Sequence, residues 1–328
     1  RTDEPGFTML ARRQASMLVR VGRCVQRSSC RSLSTARDTA EEEVAASFDP
    51  ANPTAEHRAL RDMVKSFTQN EVEPQALEYN REERFNRALF QRAGELGLLG
   101  VTVDPEYGGS GMDATAACIV HEELSYADPA FCLSYLAHSQ LFVNNLARNG
   151  NAEQLRRFLP GACSGELVGG MGMSEPSCGT DVLAMRSSAQ KLADGSYKLN
   201  GTKMWITNGA VNDTDTGDVF LVYARTGGPD VRPSQAVSLF LVERGMPGFS
   251  LGQRLKDKCG MRASPTAELV FEDVVVPAAN LVGTEARPRR ISRYLPRFTP
   301  VGTEARPRRI SRYLPRYLPS APRRAAAH

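Results

Sequence analysis

The chain has 328 residues, 41 of them basic and 37 acidic, and its formal net charge of +4 conceals three blocks of different sign. Residues 9–37 hold seven Arg and no acid, residues 286–328 hold twelve Arg against Glu304 alone, and the body, 38–285, carries 21 basic against 34 acidic side chains. Hydrophobic content of 41%, charged content of 24% and no apolar run of spanning length exclude a membrane-spanning or wholly disordered protein, and only the acidic body is patterned to bury one or two cores.

The segment from Met9 to Arg37 is rich in Arg and Ser and free of acids. Arg20, Arg23, Arg27 and Arg31 recur at three- and four-residue steps, which places them on one helical face. Residues 1–37 are therefore expected to be eight upstream residues followed by a mitochondrial transit peptide, with a linker over 38–51. The seven Cys are odd in number and form no CxxC pair, which argues against a disulfide scaffold and for a reducing compartment. His57, His121, His138 and His328 lie too far apart for a local zinc pattern, so no metal site is expected.

Residues 52–164 read as a helical domain. Leu60, Met63, Val64 and Phe67 form a stripe at i, i+3, i+4 and i+7, and Pro74 is expected to stop or kink that helix. A second helix follows near 86–99. PEYGGSGMD at 105–113 makes a turn-rich connector, and Asp128-Pro129 splits the long helical stretch after it. Asn149-Gly150-Asn151 is a further stop, before a short helix and a loop around Pro160-Gly161.

From 165 to 284 the pattern changes to short apolar runs at 167–173, 185–192, 196–206, 218–224, 237–243 and 267–275. Asp194-Gly195, Asn200-Gly201 and Asn208-Gly209 stand among them as hairpin signals. Strands at this spacing without intervening helices predict an antiparallel β-barrel or sandwich, so the fold class is α+β. No GxGxxG follows a strand and no GxxxxGK[ST] occurs, so Rossmann and P-loop nucleotide sites have no anchor.

The tail, 285–328, is expected to be disordered and rich in Arg and Pro. VGTEARPRRISRYLPR at 282–297 recurs unchanged at 301–316. Tyr294, Tyr313 and Tyr317 among the arginines fit an arm that binds RNA or anionic lipid, and the competing, preferred reading is a corrupted or truncated C-terminus. Nucleic acid is not expected as a partner of the body.

GMSEPSCGTD at 172–181 and KMWITNG at 203–209 closely resemble the flavin-binding signature of the acyl-CoA dehydrogenases. The resemblance implies an N-terminal helical domain, a middle β domain and a C-terminal helical bundle, and it covers about 52–284; the bundle is expected to be absent or replaced. It further implies FAD as cofactor. Met171, Gly172, Met173, Ser174, Glu175, Pro176, Ser177, Cys178, Gly179 and Thr180 would line it, with Trp205, Ile206 and Thr207 beside the flavin ring. A loop of small residues lets backbone N–H groups come close to phosphate and ring oxygens, which suits that chemistry. Thr180, Ser234 and Gln235 would contact the acyl-CoA. Cys178 departs from the family pattern, and Gln235 stands where relatives often carry Arg.

LSYLAHSQLFVNNLARNGN at 133–151 and GMPGFS at 245–250 resemble the members that convert isovaleryl-CoA to 3-methylcrotonyl-CoA in leucine breakdown. Such enzymes work in the mitochondrial matrix as homotetramers and pass electrons to electron-transfer flavoprotein. Their reaction needs a carboxylate base, which the family carries in the C-terminal domain; only Glu285 and Glu304 stand in that part of this sequence, and no catalytic residue is assigned. The chain is therefore expected to be incomplete, weakly active or inactive, and of doubtful tetramer formation. A straight short-chain acyl-CoA dehydrogenase and a non-catalytic flavin or acyl-CoA binder are the alternatives.

Overall fold

The computed structural model describes Asp49 and residues 51–285 except Pro229. The expected transit peptide, most of the linker and the Arg/Pro-rich tail beyond Glu285 fall outside the described residues. The chain divides into two units, 1–58 and 59–328. Of the first, the structure describes the entry to helix α1 (Ala55–Phe67), where the Thr54 hydroxyl accepts from the His57 N–H at 3.2 Å.

In the second unit the expected stripe is buried: Leu60, Val64 and Phe67 join one apolar cluster, with Met63 against it. Pro74 does not stop the helix. The chain passes through a π-helical turn (Thr68–Val72) into α2 (Glu73–Glu82), and Pro74 stands at the start of α2, directly after that irregular turn. Asn86 caps α3 (Arg87–Glu95), accepting the Leu89 N–H at 2.9 Å. Glycine serves packing in the 105–113 connector, since a Cβ on Gly109 would meet the Val103 carbonyl oxygen at 2.2 Å.

Asp113 caps α4 (Ala114–Ala127), and Asp128 both ends it and caps α5 (Pro129–Leu136), accepting the Ala130 and Phe131 N–H groups at 3.0 Å each. A π-helical segment (Ala137–Asn144) leads into α6 (Asn145–Asn149). The capping box of Asn151 and Gln154 opens α7 (Ala152–Cys163), which continues through Pro160-Gly161, where a loop was expected. Burial of Phe158, Leu159, Ala162 and Cys163 holds that last turn helical against local propensity.

The strands are β1 (Gly169–Gly172), β2 (Ser188–Lys191), β3 (Tyr197–Thr207), β4 (Val219–Arg225), β5 (Val237–Glu243), β6 (Phe249–Arg254), β7 (Thr266–Val276) and β8 (Leu281–Val282). They form one sheet in the order β6-β7-β3-β2-β4-β5-β8, with β1 paired to β4. The antiparallel expectation holds for every pair except those of β4 with β1 and β2, which are parallel, so the sheet is mixed. The β2–β3 hairpin lies between β1 and β4 in sequence, and that excursion lets β4 return beside β1 in the same direction.

Asp194-Gly195 makes the expected hairpin. Asn200-Gly201 does not: it lies inside β3 opposite a bulge on β7, where Asn200 exchanges hydrogen bonds of 2.9 Å with the Asp273 side chain and backbone N–H. Gly201 has φ +136°, and a Cβ there would sit 2.5 Å from the Ser187 Oγ. Strands β6 and β8 were not anticipated; β6 is half-buried, without the clean alternation that marks a strand in sequence.

One face of the sheet packs on helices, joining Val219, Leu221, Tyr223 and Leu239 to Phe142, Phe158 and Leu159. His138 crosses this boundary. It is fully buried; its Nε2–H donates to the Ala162 carbonyl and its Nδ1 accepts the Gly169 N–H, both at 2.9 Å, so the neutral ring ties the π-helical segment to α7 and β1. Burial, against the pull of these bonds, brings its pKa from 6.5 to about 4.

Between these two values the unfolded chain binds a proton that the folded chain refuses, so stability falls as pH drops from 6.5 towards 4. The whole window is worth roughly 3 kcal/mol. Urea midpoints measured from pH 7.5 to 4.5 should follow that slope, and His138→Asn, which cannot titrate, should flatten it.

Candidate functional site

Strand β3 carries the second motif, and its alternation explains what the motif exposes. Tyr197, Leu199 and Lys203 face inward, and on that phase Trp205 would follow them. A register shift between Lys203 and Ile206 inserts an extra residue on β3, so that Ile206 is buried instead. Trp205 sits in this bulge at φ +61° and turns outward, leaving the residue 52% exposed. A bulky residue in the left-handed region is strained, and such bulges re-aim side chains beside functional surfaces.

The inward lysine is the part that the sequence reading missed. Lys203 is fully buried, and its Nζ lies 2.8 Å from Glu175 Oε1 and 3.2 Å from the Met173 carbonyl oxygen. Glu175 also accepts the Arg186 N–H at 2.7 Å on Oε2 and the Ser187 N–H at 3.0 Å on Oε1. Burial pushes the Glu175 carboxyl up, but these donors outweigh it and hold the group below its ordinary value; burial lowers the Lys203 ammonium despite its partner. The signal for this pair was present: a lysine on the inward phase of an alternating strand requires a buried partner.

The first motif starts on β1 and leaves it as a loop lying along β3, where the Met204 N–H donates to the Ser174 carbonyl at 3.0 Å. The two motifs are thereby side by side. Glu175 and Cys178 form a small bridge and are buried, as are Gly172 and Ile206. Met171, Met173, Ser174 and Thr207 are half-buried, and Pro176, Ser177, Gly179 and Thr180 are exposed. Among the described residues, the backbone N–H groups of Ser177, Gly179 and Thr180 meet no acceptor. Of the residues expected to line a cofactor, Glu175 differs most from expectation: its carboxylate is taken up by the protein, because burying a carboxylate requires donors on every side.

Thr180 leads into a 3₁₀ turn (Val182–Ala184) that lies against the 3₁₀ turn Pro233–Gln235, so Thr180 and the backbone of Ser234 and Gln235 come to the same region. Glu285 is not poised as a base. Its Oε2 accepts from Lys191 Nζ at 2.9 Å and from the Tyr197 hydroxyl at 2.8 Å, and the Lys191 contact holds its carboxyl below the ordinary range. Glu304 lies outside the described residues.

A second missed residue closes the motif. Asn208, fully buried at φ +61°, donates from Nδ2 to the Ser134 carbonyl at 2.9 Å and to the Gly169 carbonyl at 3.0 Å, fixing the end of β3 to α5 and β1. Asparagine tolerates the left-handed region better than other polar residues, so one side chain both makes the turn and anchors it.

Two family models match the chain: acyl-CoA dehydrogenase, N-terminal domain, over residues 54–166, and acyl-CoA dehydrogenase, middle domain, over residues 170–274. The chain belongs to the acyl-CoA dehydrogenase family, oxidoreductases acting on CH–CH bonds. It is 46% identical over 232 residues to the mitochondrial isovaleryl-CoA dehydrogenase of Pongo abelii, an alignment covering 70% of this chain and 53% of the relative. Among solved structures it is similar to butyryl-CoA dehydrogenase from Megasphaera elsdenii, at 31% identity and a TM-score of 0.68 over 73% of this chain and 61% of that one. It is also similar to an acyl-CoA dehydrogenase complexed with FAD from Bacillus anthracis, at 33% identity and a TM-score of 0.66 over 75% of this chain and 40% of that one. The chain spans about half the length of the curated relatives it matches.

Replacing Asn208 separates its two tasks. Asn208→Gly removes the side chain with its hydrogen bonds but keeps a residue that accepts the turn, and should destabilise by about 2 kcal/mol, whereas Asn208→Ala adds the left-handed strain and should reach about 3. Urea denaturation of both variants, compared with the parent, checks the order and the sizes.

Proposed function

We propose that this chain carries the FAD- and acyl-CoA-binding face of a dehydrogenase that converts isovaleryl-CoA to 3-methylcrotonyl-CoA in the mitochondrial matrix. Electrons would leave to electron-transfer flavoprotein. The observation that carries the reading is the juxtaposition of the two motifs: an outward-turned indole on the β3 bulge beside a loop that offers three backbone N–H groups without an acceptor among the described residues. The donor set fits a flavin. Small residues leave room at Gly179, where an added Cβ would touch nothing within 4 Å, and the loop pairs an aromatic surface with anion-accepting amides.

FAD, when bound, supplies the acceptor for the hydride from the substrate β-carbon. In this reading Trp205 and Thr207 would hold the ring, and the loop amides with the Ser174 and Thr180 hydroxyls would hold its polar atoms. Thr180, Ser234 and Gln235 orient the CoA portion, and water is excluded where Trp205 becomes covered. No described residue is assigned as the base, since Glu285 is already held by Lys191 and Tyr197. The branched substrate is favoured by the 46% identity to an isovaleryl-CoA dehydrogenase, and the mitochondrial address by the same relative and the basic segment 9–37.

Trp205 is the only tryptophan, so its fluorescence reads the site directly. Added FAD should quench it saturably, and Trp205→Phe should remove the signal. Isovaleryl-CoA should then reduce a dye acceptor slowly, and faster than butyryl-CoA does. Quenching without dye reduction would favour a non-catalytic flavin or acyl-CoA binder; butyryl-CoA outpacing isovaleryl-CoA would favour the straight-chain alternative. Absence of quenching would remove the flavin reading.

A further inference from the structure

The Glu175 carboxylate receives three donors from two places in the chain. Arg186 and Ser187 donate their backbone N–H groups from the far end of the loop 176–185, and Lys203 donates from β3. Glu175 itself stands at the near end of that loop. One buried side chain therefore ties both ends of a ten-residue excursion together, and Lys203 Nζ, bound also to the Met173 carbonyl, fastens the tie to the strand that carries Trp205 and Thr207.

Within the loop the Glu175–Cys178 bridge and the 3₁₀ turn Val182–Ala184 order two short stretches, and buried Cys178 and Val182 point inward. Ser177, Gly179 and Thr180 are exposed, with backbone N–H groups that meet no acceptor among the described residues. Amides left in that state recognise an anion only if their directions are set beforehand, and the geometry of the two loop ends is what sets them. The ion pair is a poor device for stability alone. Removing both charges from water is costly, and an apolar pair of similar volume is often as stable; a directional role accounts better for full charges on the inward face of a strand.

We propose that Glu175 and Lys203 are positioning residues for the flavin: the carboxylate closes the loop 176–185, and the ammonium holds that loop in register with Trp205 and Thr207. The inference rests on the flavin reading, and it moves Glu175 from the group that touches the cofactor to the group that arranges it.

The test uses the full chain, freed of flavin, with Glu175→Gln, Lys203→Met and the two combined. Three quantities are measured: the urea midpoint, hydrogen–deuterium exchange of peptides covering 176–187, and the Kd for FAD. Each single variant leaves one buried group without its charged partner and should lower the midpoint, and the double variant should recover most of that loss. Positioning does not recover with it: the double variant should exchange its loop amides at least tenfold faster than the parent and bind FAD at least tenfold more weakly. A double variant with a recovered midpoint, parental exchange and parental Kd overturns the proposal. If the double variant does not fold, Glu175→Asp decides. It keeps the charge and shortens the reach by one methylene, so a near-parental midpoint with faster loop exchange supports the proposal, and parental exchange overturns it. A parent chain that binds no FAD overturns the flavin reading instead, and the exchange comparison in flavin-free protein still decides whether the pair holds the loop.

Discussion

The buried contact between Lys203 and Glu175 is the constraint on which the site geometry depends. A fully buried ammonium and a nearly buried carboxylate could not coexist with the apolar sheet face unless each met a charged partner and further hydrogen bonds, and here the partners are spread over residues 173, 175, 186, 187 and 203. Satisfying two charges thus fixes three separate backbone segments. The same requirement brings the small-residue loop beside the strand whose bulge turns Trp205 outward, so the electrostatics of the interior determine what the surface presents.

Two neutral polar residues extend that order to the helices. His138 reaches from the π-helical segment to α7 and β1, and Asn208 reaches from the end of β3 to α5 and β1. Both end on Gly169, one taking its N–H and the other its carbonyl. Strand β1, four residues long and rich in glycine, has little side-chain surface of its own to hold it. A Cβ at Gly169 would lie 2.2 Å from the Phe142 ring, so the glycine permits the close approach that the two polar anchors then define.

Much of the helical half was legible because its signals are local. Asp113, Asp128 and Asn151 cap the helices they precede, and the stripe from Leu60 to Phe67 is buried as its spacing requires. The errors share one cause. Pro160 was read as an interruption by propensity and is overridden by the burial around it, whereas Pro74 does follow an irregular, π-helical turn. Asn200-Gly201 was read as a turn, but Gly201 at positive φ serves a bulged strand just as well.

The sequence by itself determined the order of helices before strands, the residue types a flavin-binding loop needs, and the presence of two motifs separated by 21 residues. Only the tertiary structure decided that these motifs lie side by side, that β4 runs parallel to β1, that Trp205 faces out while Lys203 faces in, and that Glu175 serves the loop's shape. The physical reason is range. Caps, stripes and hairpin turns are set by neighbours within a few residues, whereas a buried charge, a bulge and a sheet register depend on which distant segment supplies the missing partner.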